Sequence, residues 1–197
     1  MSATRLLVLG VVRGFGRAHG YLVRAQLVSW GAQDWANVQW GSLYHALRKL
    51  ADEGMLTAAH DVRSRVDYEL TARGEAEFFR LLRAALREPG PRPDMLAAGL
   101  SLLPALRREE AIELLRARQR LLRATHQELP AEITGQPPHA RELYGLWDHS
   151  IAGALDWAQR MIDRLIAGSY VMAGEPGAHF GTAGAWPVPS DSSHFGA

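Results

Sequence analysis

The sequence predicts a mainly α-helical fold carrying one small β-hairpin wing: a winged helix-turn-helix followed by a C-terminal helical region. Three observations carry that reading. Apolar residues recur at helical spacing over most of residues 6–51 and again over 94–167. Two short runs, 55–60 and 66–70, read as strands joined by a charged turn. The joint Pro89-Gly90-Pro91-Arg92-Pro93 then cannot continue a helix and marks a boundary.

Taken in order, Leu6, Leu7, Leu9 and Val12 give a short first helix that ends at Gly14-Phe15-Gly16. A second helix is expected over 18–29, with Tyr21, Leu22, Ala25 and Val28 in phase, until Gly31 breaks it. The stretch 30–40 holds Trp30, Trp35 and Trp40 and resists assignment. A third helix starts near Gly41, with Leu43, Leu47, Leu50 and Ala51 on one face, and ends at Gly54. In the second strand Val66, Tyr68 and Leu70 alternate with Asp67 and Glu69, the pattern of a half-buried strand. Thr71 is placed to cap the next helix, whose apolar face is Phe78, Leu82, Ala85 and Leu86. Three helices, a strand, a turn and a strand is the order of a winged helix-turn-helix.

Beyond the prolines, residues 95–103 are apolar on nearly every side, which predicts a buried helix capped by Asp94. A longer helix is expected over 107–129, with Leu114, Leu115, Leu121, Leu122 and Leu129 along a stripe. A loop near 130–138 leads to a long helix over 139–167. There Leu143, Trp147, Ile151, Leu155, Ala158, Ile162 and Leu165 form the seam that a helix presents to a partner helix. That seam suits dimerisation, and packing inside one protomer is the alternative. The expected organisation is a DNA-binding unit at 1–88, a helical dimerisation unit at 94–167 and a flexible, Gly/Pro/Ser-rich tail at 168–197. His-Phe-Gly occurs twice in that tail, at His179 and His194.

Composition narrows the function classes. With 47% hydrophobic residues the chain can build a core, and its net charge of +1 is low for a general polyelectrolyte binder. The charge is uneven: residues 1–87 hold 12 Lys/Arg against 8 Asp/Glu, and residues 88–197 hold 10 against 13. A basic front half suits a surface that meets phosphate. The absence of cysteine excludes disulfides, thiolate metal sites and Cys nucleophiles. No secretion signal and no apolar stretch near the roughly 20 residues of a membrane span are evident, so a cytoplasmic protein without membrane contact is expected. There is no His-Glu-x-x-His, no phosphate-binding loop and no Gly-x-Ser-x-Gly, so neither an enzyme nor a resident cofactor or metal is expected.

A helix can enter the major groove when one face packs on its own domain and the other is polar and able to donate hydrogen bonds. With Leu43, Leu47 and Leu50 inward, Ser42, His45, Arg48 and Lys49 point outward and Tyr44 lies at the flank. Ser42 and the first backbone N–H groups favour a phosphate, and Arg48 and Lys49 can reach phosphates or guanine edges. On the turn between the strands, Arg63 and Arg65 can lie along a phosphate backbone or in the minor groove. A wing that serves another protein instead of DNA is the competing reading, because Asp61 and Asp67 flank those arginines.

The motifs are also specific. His19-Gly20-Tyr21, then the run Gly41-Ser42-Leu43-Tyr44-His45-Ala46-Leu47-Arg48-Lys49-Leu50, then Glu53-Gly54-Met55-Leu56 and Tyr68-Glu69-Leu70-Thr71-Ala72-Arg73-Gly74 resemble the PadR family of bacterial regulators. The resemblance runs in order through residues 1–85 and implies a dimeric repressor that binds double-stranded DNA at a palindromic operator. It implies DNA contacts at Ser42, Tyr44, His45 and Lys49 on the helix and at Arg63 and Arg65 on the wing, with a supporting or phosphate role for Tyr21. Two departures stand out: Trp40 replaces the family's Pro before the Gly, and the wing lacks the usual Gly-rich tip and Pro-Arg pair. For a small aromatic effector, Tyr144, Trp147, Trp157 and Tyr170 with nearby His126 are one candidate cavity, and Trp30, Trp35 and Trp40 are a second.

Overall fold

The computed structural model describes residues 2–60, 65–90, 92–133 and 137–188. The first helix, α1 (Ala3–Phe15), is buried along almost its whole length, with Leu6, Leu7, Val8, Leu9, Val11 and Val12 closed to solvent. It is the hub on which α2 (Gly20–Ser29), α4 (Trp40–Asp52) and α5 (Ala72–Arg87) pack. The unassigned tryptophan stretch contains a short helix, α3 (Ala32–Ala36), bracketed by Gly31 and Asn37 in left-handed backbone.

Among the described residues the strands form one antiparallel sheet ordered β1-β3-β2, with β1 Arg17–His19, β2 Leu56–His60 and β3 Val66–Leu70. The hairpin was expected and β1 was not: the residues read as the start of the second helix pair instead with β3, Ala18 opposite Tyr68. Three residues are too few to show a period. β1 also changes the face of β3, where the expected alternation fails. Asp67 is buried beside Tyr68, held by Arg17 at 3.4 Å and Arg65 at 3.3 Å. A carboxylate is tolerated there because two guanidinium groups offset its lost hydration. Thr71 caps α5 as expected, accepting a hydrogen bond from the Gly74 N–H at 3.1 Å.

After the prolines come α6 (Asp94–Ser101), a 3₁₀ turn over Leu103–Ala105, α7 (Arg108–Ile133) and α8 (Pro138–Ile166). Of α6 only Ala98 and Gly99 are buried, so the all-round burial expected of it is corrected. The helix packs on α1, α3 and α5, and those neighbours leave its remaining flank partly open. α7 and α8 pair along their length, and the core runs unbroken from α1 through α5 into Leu102, Leu106, Leu115, Ile162 and Leu165.

Of the tail expected to be flexible, residues 168–188 are described. They run back over the molecule and place Met172 and Trp186 in the same core. Residues 189–197, with the second His-Phe-Gly triplet, lie outside the described residues. No helix among the described residues is long and apolar enough to cross a membrane.

Candidate nucleic-acid interface

The sequence of α4 sorts its side chains as its period requires. Leu43, Leu47 and Leu50 are buried against the hub, whereas Ser42, Tyr44, His45, Arg48 and Lys49 are exposed. Among the described residues, Ser42, His45 and Lys49 make no hydrogen bond or ion pair. Arg48 leans toward the sheet, since its positive charge partly offsets the upward push that burial gives the Tyr68 hydroxyl. The helix begins at Trp40, and the cap residue Gln39 offers it no side-chain acceptor. Its first backbone N–H groups are therefore available to an anion. Trp40, the departure from the family's Pro, lies under the Arg24 guanidinium, 5.1 Å from its carbon to the ring centroid.

Tyr44 is 41% exposed, and the inner edge of its ring lies on Gly20. A Cβ at residue 20 would stand 2.5 Å from Tyr44 Cε1, closer than real carbon atoms approach. The glycine of His19-Gly20-Tyr21 thus lets α2 and α4 come together and fixes the tyrosine ring. His19 caps α2 through Nδ1, which accepts from the Leu22 N–H at 3.2 Å. Tyr21 is 55% exposed, and its ring stacks beside His19 with centroids 6.2 Å apart. The sequence reading held His19 only as part of the motif His19-Gly20-Tyr21 and missed its capping role, although a residue that can accept a hydrogen bond just before a helix was a visible signal.

On the wing, Arg65 is half-exposed and paired with Asp67. Arg63 lies outside the described residues. Arg17, which the sequence reading did not single out, joins the same charged group through Asp67 and Glu69 at 3.4 and 3.3 Å.

The first candidate effector group is only partly assembled. His126 Nε2 meets Asp148 Oδ1 at 2.8 Å across α7 and α8, and Tyr144 and Trp147 make an edge-to-face pair at 5.2 Å. Trp157 does not join them: ten residues further along α8 it stands about 15 Å away and packs against the main core. The second group is also altered. Trp35 donates its indole N–H to the Trp30 carbonyl at 2.8 Å, while Trp30 is covered by Phe180 and Trp186, with centroids at 6.3 and 5.7 Å. A cleft of about 310 Å³ borders that cover, lined by Phe15, Gln26, Phe180 and Trp186 among others.

No curated protein matches the chain. Solved structures to which it is similar include Bacillus subtilis PadR in complex with operator DNA, at 20% identity over 82% of this chain and 98% of that one, with a TM-score of 0.37. A PadR-like transcriptional regulator from Bacillus cereus is similar at 16% identity over 84% and 99%, TM-score 0.37. Bacillus subtilis PadR in complex with p-coumaric acid is similar at 16% over 83% and 97%, TM-score 0.35. Residues 8–80 match the family model described as the transcriptional regulator PadR-like family. Over those residues the chain is similar to the PadR-like family of transcriptional regulators.

Proposed function

We propose that this chain is a sequence-specific DNA-binding regulator that works in the cytoplasm as a homodimeric repressor on a palindromic operator. The observation that carries the reading is the outward face of α4, where Ser42, Tyr44, His45 and Lys49 stand clear of the protein that buries Leu43, Leu47 and Leu50. Ser42 and the open N–H groups of the first turn receive a phosphate, Lys49 and Arg48 reach phosphates or base edges, and Tyr44 and Tyr21 flank the contact. Arg65 extends it from the wing, and Arg63 is the further cation that the sequence offers for the same contact.

Dimerisation uses the free half of α8. The expected seam is buried only at its C-terminal end, at Ala158, Ile162 and Leu165. Toward the N-terminus Leu143 and Trp147 are exposed, and Leu146 beside them is 61% exposed. An apolar strip of that kind suits a second copy, and two copies bind two half-sites far more tightly than one binds a single half-site. A small aromatic effector that releases the DNA would meet Tyr144, Trp147 and His126, and Trp157 plays no part at that place.

A second reading has one observation in its favour: Arg65 and Arg17 already spend their charge on Asp67, as in a wing adapted to another protein. The test is selection of bound duplexes from a random pool, followed by gel shift. A selected palindrome whose affinity falls about tenfold or more in Lys49→Ala and Tyr44→Ala, each worth roughly 1–3 kcal/mol, supports the DNA reading. If no duplex is enriched, or both variants bind as tightly as the parent, the second reading stands.

A further inference from the structure

We infer that residues 169–187 are a strap that holds the DNA-reading half in a fixed orientation on the helical half, with Trp186 as its positioning residue. The inference rests on the proposed function for its consequence but not for its geometry.

The strap is fastened at both ends to different parts of the molecule. At the helical end, Arg108 at the start of α7 donates from Nε and Nη2 to the two carboxylate oxygens of Glu175, each at 2.7 Å. The same guanidinium also donates to the carbonyls of Tyr170 and Leu165. Two parallel N–H···O bonds to one carboxylate fix direction as well as distance. Met172 is fully buried beside this clamp, and the Ala173 N–H donates to the Leu106 carbonyl at 3.0 Å.

At the other end the strap meets the last turn of α1. The Gly184 N–H donates to the Arg13 carbonyl at 2.9 Å, and the Trp186 N–H donates to the Gly14 carbonyl at 3.0 Å. Arg13 returns a bond from Nη1 to the Gly181 carbonyl at 2.9 Å. The Trp186 indole lies on the bare backbone of Gly14, where a Cβ would come within 2.3 Å of the ring. Around it stand Phe15 at 5.3 Å, Phe180 at 4.8 Å and Trp30 at 5.7 Å, and its Nε1–H is satisfied by the Phe180 carbonyl at 2.9 Å. A residue with that many fixed neighbours is a docking plug rather than a loose end.

The two anchor points belong to α1 and the end of α2 on one side, and to α7 and the end of α8 on the other. α2 supports α4 through Gly20 and Tyr44, and α8 carries the strip proposed for the second copy. The strap therefore ties the reading helix to the pairing helix in addition to the packing of α5 on α6 and α7. In a paired molecule, that orientation sets the spacing of the two reading helices, and a duplex with two half-sites demands one spacing.

The test uses the full chain and its Trp186→Ala, Trp186→Phe and Glu175→Gln variants. The chain has no cysteine, so Gln33→Cys on α3 and Ala152→Cys on α8, both exposed, accept one spin label each. The expected result is a narrow label-to-label distance in the parent and in Trp186→Phe, and a broadened one in Trp186→Ala and Glu175→Gln. On DNA, Trp186→Ala is expected to lose about tenfold or more affinity for the two-half-site duplex and less than about twofold for a single half-site. Trp186→Phe is expected to restore most of the loss. A merely destabilised fold would lower both affinities together. If Trp186→Ala does not fold, the Glu175→Gln pair of measurements decides. Unchanged distance distributions in every folded variant overturn the strap, whether or not the chain binds DNA. A broadened distance with an unchanged preference for the two-site duplex overturns its positioning role.

Discussion

Gly20 shows what one missing carbon does for the placement of Tyr44. The Tyr44 ring occupies the space where a side chain at residue 20 would begin. Gly20→Ala is expected to push the ring aside and cost about 1–3 kcal/mol, the usual range for an overpacked contact, read as a lower urea midpoint with reduced DNA affinity. An unchanged midpoint and affinity would show that the ring moves freely and is not held for contact. Residues such as Leu43 and Lys49 were legible in the sequence because a helix of known period sorts them. Arg118 was not. It reads as one arginine among several on α7, yet it is buried, donates to the Glu88 carbonyl at 2.9 Å and leaves its Nε–H without a partner. Burial holds its guanidinium below the usual arginine range, and what offsets that cost is the carbonyl end of α5. Only tertiary packing reveals such a role.

At the scale of elements, the most informative case is the strap. Glycine and alanine make up eight of its nineteen residues and proline two more, and local composition of that kind reads as disorder. Its order comes instead from a few side chains that find distant seats: Met172, Glu175 and Trp186. β1 escaped notice for a related reason, since its pairing partner lies some fifty residues away in β3. By contrast α4, α5 and α8 announced themselves through repeated apolar spacing, which needs no knowledge of neighbours. The Arg108–Glu175 clamp also gives a pH prediction. The hydrogen bonds from Arg108 hold the Glu175 carboxyl below its ordinary 4.5, helped by the Met172 N–H. A depressed carboxyl stabilises the fold fully above its unfolded pKa and loses that contribution as pH falls through the folded value. The parent is therefore expected to exceed Glu175→Gln in urea midpoint at pH 6 and to converge on it as pH drops below 4.5. A constant difference across that range would mean that the clamp carries no charge-dependent stability.

For the whole molecule, the division of labour follows from charge and surface. α4 presents Arg48 and Lys49 to solvent, while the half-open seam of α8 leaves an apolar strip at the other part of the chain. The resemblance to the PadR-like family was legible because its motifs fall where local geometry is demanding: a cap at His19, a close approach at Gly20, a capped turn at Thr71. The sequence could not indicate how the two halves are joined, because the core runs across the proline joint and the strap crosses back over it. α4 is proposed to meet a duplex through its exposed cations, and the most direct measurement of that contact is the salt dependence of affinity for a selected duplex. The logarithm of the binding constant is expected to fall linearly with the logarithm of salt concentration, and Lys49→Ala is expected to reduce the slope by about one. A flat salt response, or a slope that Lys49→Ala leaves unchanged along with Arg48→Ala, would contradict it.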